Sequence, residues 1–413
     1  PGEVRVRIDP IGRLIELAAI PVATAPGAGP LDADALLRTS DLDADLLEPV
    51  PPTRLPTTFA DERYAWTGSL PEDPERTVHV EAAAFAGRPV SYSVEVGPPP
   101  PAASSVGGTW RMVARIALIL AALVLAFDAQ RRGRGDPKGT FRVFVGVFVL
   151  VAAFTLLAGD GTDWVGVGRL LQKGMMHGVA VGGMLALYYF AFEPHARHVW
   201  PQTMLGSSRL LAGRWLDPRV GRDVLIGIAM GVAVTAAAFL VQIVPTWTGC
   251  VAKPPLLGHV SALDTLLGLG SAVGVALEIV VDFAHESFKF FMAIVVIRLL
   301  LRNPTVTTLV AITIWTLTWR DPAAEHADSL VAWLAPWVWA VALAGAATLV
   351  VVRFGLLTLV VMFVTFGLLL TFPLSLDLSD WMSRVSLLAL TSTVALSLLA
   401  ARSATRAAPA RIP

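Results

Sequence analysis

The sequence predicts a mostly α-helical, polytopic membrane bundle of about nine spans, preceded by a small α+β domain. Two observations carry this. Of 413 residues, 55% are hydrophobic and only 15% charged, whereas a soluble domain is nearer a quarter charged. From Trp110 onward the chain holds long apolar runs, while residues 1–107 are rich in Pro and Asp and hold only short alternating ones. The net charge is zero, so nothing points to a nucleic-acid partner. The single cysteine, Cys250, excludes an intramolecular disulfide and leaves no Cys cluster for zinc.

The first 97 residues read as the α+β domain. "EVRVRID" and "RLIELAAI" flank Pro10-Ile11-Gly12, and "TVHVEAAAF" and "RPVSYSVEV" flank Ala86-Gly87. Each pair is two alternating runs around turn residues, which predicts a hairpin. Between them, "LDADALLRTSDLDADLLEP" predicts one or two short acidic helices. About 100 residues are just enough for a core. Residues 98–109, opening on four prolines and closing on Gly107-Gly108, predict a stiff-then-flexible linker.

Residues 110–401 predict the helix bundle. A span needs about 20 apolar residues. Nine segments qualify: 111–127, 142–158, 174–192, 223–244, 277–300, 304–319, 329–352, 355–373 and 383–400. The sixth and eighth are short or closely followed by a neighbour. Trp110, Trp164, Trp247, Trp319 and Trp381 sit near span ends, where interface anchors belong. With residues 1–107 outside, the inside loops and the tail (402–413) carry sixteen Lys and Arg, and the outside loops five. That bias predicts an odd number of spans with the C-terminus inside. Arg111 and Arg115 run against it and are expected to snorkel.

The sharpest constellation lies in the fifth span. Glu278, Asp282, His285, Glu286 and Lys289 share one helical face at offsets 0, 4, 7, 8 and 11. Ionisable groups are expensive in a bilayer, so such a face predicts a proton relay, an ion site or a metal site turned inward. A plainer reading stands beside it. Residues 261–301 exceed one span, so the face could sit at headgroup level with Glu286 and Lys289 simply paired. "AHESF" begins like a zincin helix, but Lys289 stands where the second His is needed, so no metal site is expected. "GLGSAVG" at 268–274 lacks the Lys-Ser/Thr of a phosphate loop. Its Gly270 and Gly274, like Gly227 and Gly231, predict close helix approach.

The loop after the third span holds Arg197, Arg209, Arg214, Arg219 and Arg222. These predict an inside loop able to meet anionic headgroups or a cytoplasmic domain. "SSRLLAGRW" predicts an interfacial helix with Leu210, Leu211 and Trp215 on one face.

Several stretches, in order, carry a resemblance: "PGEVRVRIDPIGRLIELAAIP", "FADERYAW", Glu193-Pro194, Trp200-Pro201, "SRLLAGRW" and "DPRVGRDVLIG". Together they resemble the extracytoplasmic and multi-span membrane region of a family of bacterial serine/threonine protein kinases. The resemblance runs to about residue 302 and weakens beyond. It implies an upstream kinase domain in the same polypeptide, and ATP and Mg only for that domain. It also implies the bacterial inner membrane, and a sensory and anchoring role. It gives Glu193, Trp200, Arg209 and Asp217 no established chemistry. This chain has no Gly-rich loop with its Lys, no His-Arg-Asp loop and no Asp-Phe-Gly, so no cofactor and no catalytic residue is expected here. Pro1 stands where Met would, and no export signal follows, which leads to the expectation of a fragment or processed chain. The competing readings are a stand-alone transporter using the polar face of the fifth span, and a membrane peptidase. No inverted repeat supports the first, and no complete catalytic set supports the second.

Overall fold

A computed structural model describes residues 4–8, 12–20, 31–53, 55–56, 58–70, 73–96, 105–159, 164–243, 265–319, 330–375, 379 and 383–405. The chain divides into two compact units, Pro1–Ser105 and Val106–Pro413.

The first unit is an antiparallel sheet with one short helix. Its strands are β1 (Val4–Ile8), β2 (Leu14–Ala19), β3 (Leu47–Pro49), β4 (Glu62–Leu70), β5 (Asp73–Phe85) and β6 (Arg88–Val96), in the order β1-β2-β6-β5-β4-β3. Both expected hairpins form. The apex of the first, Pro10-Ile11, lies outside the described residues. The second turns at Ala86 and Gly87, both at positive φ (52° and 74°), as the twist of a two-residue hairpin demands. The register sets Val80 opposite Val94 and Ala82 opposite Tyr92, so one sheet face presents apolar side chains. Leu14, Leu37, Val78, Val80 and Tyr92 form the core there. α1 (Ala33–Thr39) is capped by Asp32, whose Oδ1 accepts the Ala35 N–H at 3.0 Å. The acidic segment is helical only in part: after a single 3-10 turn, Leu47–Pro49 pairs with β4 as an edge strand. Pairing with β4, a strand the alternating runs did not signal, overrides the local helical pattern.

The second unit is a helix bundle: α2 (Ser105–Arg131), α3 (Pro137–Ala158), α4 (Trp164–Val199), α5 (Leu205–Leu211), α6 (Pro218–Ile243), α7 (Leu269–Leu301), α8 (Pro304–Trp319), α9 (Leu330–Arg353), α10 (Leu356–Thr371) and α11 (Ser383–Ala404). α2 begins at Ser105, so residues 105–109 are helix rather than linker. Among the described residues, six helices are long and apolar enough to cross a membrane: those containing Trp110–Arg131, Pro137–Ala158, Trp164–Val199, Pro218–Val241, Trp333–Arg353 and Ser383–Ala404. The chain is thus a multi-pass membrane protein. These six account for six of the nine expected spans; the other three segments form α7, α8 and α10. α8 and α10 have only 16 residues each, or about 24 Å against a hydrocarbon core of about 30 Å. α7 has 33 residues but carries the ionisable face.

α7 is central. It packs on α3, α4, α8 and α10, while α6 packs on α9, α10 and α11. Phe192 meets Phe288 and Phe291, with ring centroids 5.6 and 4.8 Å apart. α10 is buried along most of its length, including Leu359, Met362 and Phe363, as a helix apolar on every side should be. Trp319, expected as an interface anchor, instead stacks on Phe290 at 5.6 Å and packs against Trp315 and Phe363. Trp164 is 91% exposed at the start of α4, as an anchor would be. Trp247 and Trp381 lie outside the described residues.

Candidate functional site

Glycine approaches orient the bundle. A Cβ on Gly139 would meet the Tyr189 hydroxyl at 2.8 Å, one on Gly206 would meet Asp223, one on Gly221 would meet the Ala400 carbonyl at 2.5 Å, and one on Gly355 would meet Thr203. These contacts gather the start of α3, the end of α4, α5, the start of α6, the start of α10 and the end of α11 at one end. Gly274, near Ala158 at 3.0 Å, and Gly174, near Thr155, mark the other. The first end is the basic one. It holds Arg131, Arg132, Arg134, Arg142, Arg197, Arg209, Arg214, Arg219, Arg222 and Arg402.

The polar face of α7 lies on one unbroken helix. Lys289 lies about 13 Å and Glu278 about 30 Å along this helix from Arg298. Lys289 donates to Glu286 Oε1, and Glu278 and Asp282 have partners as well. Asp282 is exposed, whereas Glu278, His285, Glu286 and Lys289 are half-buried. The His285 ring stacks on Tyr188 of α4, centroids 6.1 Å apart at 29°. Its Nε2 is buried without a hydrogen-bond partner among the described residues. The site thus draws on α4 and α7. Among the described residues no group of three His, Cys, Asp or Glu stands close enough to hold a metal ion.

The basic loop is built, not merely placed. Glu193, only 2% exposed, pairs with Arg197 one turn on. Trp200 packs against the main core. Asp217 Oδ1 accepts Arg209 Nη1 at 2.7 Å and the Arg219 N–H at 2.9 Å, so one carboxylate joins α5 to the N-terminus of α6. Burial pushes the Asp217 carboxyl up. The Arg209 and Arg219 hydrogen bonds, with the charges of Arg209 and Arg214, outweigh it and hold the group below its ordinary range. The Arg219 guanidinium reaches the Gln202 carbonyl at 3.3 Å, and Arg222 is exposed. The interfacial helix is shorter than expected. α5 stops at Leu211, and Gly213 turns the chain at φ 80°, a conformation that ends a helix. Arg214 and Trp215 therefore lie beyond it. A cleft of about 340 Å³ opens here, lined by Arg197, Ser208, Arg209 and Arg214 above Met204 and Leu205.

Comparison with protein-family models, curated proteins and solved structures finds no match for this chain. The site is therefore read from its own residues. Sequence reasoning missed several of them. Asp136 caps α3 through the Gly139 N–H at 2.9 Å and accepts the Tyr189 hydroxyl at 3.3 Å. Asp128 lies 2.8 Å from Arg132 and 3.6 Å from His195. The Asp136-Pro137 pair was a readable helix start. Asp128 and His195 carry no comparable mark. In the first unit, Glu81 is buried and accepts from Thr53 N–H at 3.1 Å and Thr53 Oγ1 at 2.7 Å, beside His79. It lines a cleft of about 170 Å³ with Glu16, Arg63, Ser91 and Ser93.

Proposed function

We propose that this chain is the membrane-anchoring and sensory region of a bacterial serine/threonine protein kinase, itself non-catalytic, with its kinase domain upstream in the same polypeptide. The observation that carries the reading is the fate of the residues that bear the resemblance. Glu193 is paired with Arg197, Arg209 with Asp217, and Trp200 is packed on the core, so each of these residues belongs to an ordered platform. A loop that only fixed orientation would need the charge and not the platform. The platform faces the cytoplasm in this reading, on the Lys and Arg count. The first unit lies outside the bacterial inner membrane, and α7, α8 and α10 complete nine crossings. The cleft beside Glu81 offers the outer unit a place for a stimulus. Such a stimulus must bind two arrangements of the protein unequally to be sensed.

The reading frame before Pro1 tests this. A kinase catalytic loop and an Asp-Phe-Gly are expected there, with ATP- and Mg-dependent autophosphorylation of the full protein. A reading frame without them sinks the proposal. A second reading is favoured by the unpartnered His285 Nε2 at mid-helix: a transporter using Glu278, Asp282, His285, Glu286 and Lys289. Solute flux through the purified chain in proteoliposomes, abolished by Glu286→Gln, would carry that reading instead.

A further inference from the structure

The cleft beside α5 has a composition that selects a ligand class. At about 340 Å³ it falls within the range of small-molecule pockets. Three of its lining residues are arginines: Arg197, Arg209 and Arg214. Arg197 spends its Nε on Glu193, and Arg209 spends one Nη on Asp217. A guanidinium has five N–H donors in a planar fork, so both keep donors beyond those bonds. Asp217 is shared, since the charge of Arg214 acts on it too. Asp223 adds a third carboxylate beside α5, but Arg219 and Arg222 act on it together with Arg209, so five guanidinium groups meet three carboxylates and the local balance is positive. That arrangement suits phosphate oxygens, which arginine binds in bidentate fashion.

The rest of the lining is apolar, with Met204 and Leu205 among it. Trp215 and Leu216 follow directly and are 70% and 53% exposed. The loop joins two helices able to cross a membrane, α4 and α6. Exposed Trp and Leu beside arginine at such a position belong to the bilayer interface.

We infer that this cleft binds the phosphate group of an anionic phospholipid headgroup, through Arg197, Arg209 and Arg214. A free phosphate shares the chemistry, but the apolar lining and the exposed Trp215 and Leu216 favour the lipid. The inference holds independently of the kinase reading.

The test is native mass spectrometry of the full chain in mild detergent. It is titrated in parallel with phosphatidylglycerol, phosphatidylcholine and sodium phosphate. Saturable binding of phosphatidylglycerol over phosphatidylcholine is expected. Arg214→Gln, at an exposed position, should weaken it about fivefold, the worth of one basic residue at a membrane surface. Arg222→Gln, exposed on α6 outside the cleft, should change it less than about twofold. Arg214-dependent binding of sodium phosphate without phosphatidylglycerol binding would keep the phosphate site but overturn its assignment to lipid. Equal losses in the two variants, or no saturable binding of either ligand, would overturn the site itself.

Discussion

Asp217 shows how much one side chain can organise. It closes the N-terminus of α6 through the Arg219 N–H and holds α5 through Arg209. The cap contributes about 1 kcal/mol, and a half-exposed ion pair adds at most about 1 kcal/mol. Asp217→Ala should therefore lower stability by about 1–2 kcal/mol. Asp217→Asn should cost less, because an amide oxygen still caps. The depressed carboxyl makes the ionic part pH-dependent. Its contribution is present above the unfolded value of about 3.9 and is lost as pH falls through the lower folded value. Thermal unfolding of wild type and Asp217→Asn should thus converge below about pH 4. A deficit that stays constant from pH 7 to pH 3 would show that the ion pair contributes nothing. At this scale the sequence was half legible. The spacing from Glu278 to Lys289 disclosed a shared face because helical period is a local property. The Tyr188–His285 stack and the Asp136–Tyr189 bond join separate helices or segments, and no local pattern encodes which of them meet.

Small residues decide how closely the helices approach, and they do not all do so. Gly227 and Gly231 face α10: added Cβ atoms would lie 2.7 Å from Val361 Cβ and 2.7 Å from the Met362 carbonyl. Gly274 is tight against Ala158 at 3.0 Å, whereas Gly270 has only an ordinary contact, 3.6 Å from the Leu157 carbonyl. Gly231→Ala should destabilise the bundle by about 1–3 kcal/mol, because a backbone carbonyl cannot give way as a side chain does. Gly270→Ala should be neutral or stabilising by up to about 1 kcal/mol, through helix propensity. Thermal unfolding in detergent separates them, and equal effects would refute the assignment of the α6–α10 seam. The sequence marked all four glycines alike, since spacing shows which residues share a face but not what that face meets. Apolar runs located the helices well because length and hydropathy are local. Helix ends and β3 were less legible, because Gly213 and the pairing with β4 decide them.

Across the whole molecule, the distribution of charge predicts its orientation. With Cys250 replaced by Ala, a thiol at Ser69 should react with an impermeant reagent from outside the cell. One at Ala212 should react only after the membrane is opened. Both positions are exposed, whereas Ser207, in the same loop, is buried and would stay silent from either side. The reverse labelling pattern would invert the topology. The enclosed short helix, α10, also bears on how such a bundle is made. At 16 residues it is too short to sit comfortably in a bilayer on its own. Its surroundings remove the mismatch, because α6, α7 and α9 pack around it. All three precede it in the chain, so a ribosome releases α10 after those partners have been made. Synthesis order then works as a chaperone would: this short helix emerges after the three helices that chiefly enclose it, and most of its binding surface is already waiting in the membrane.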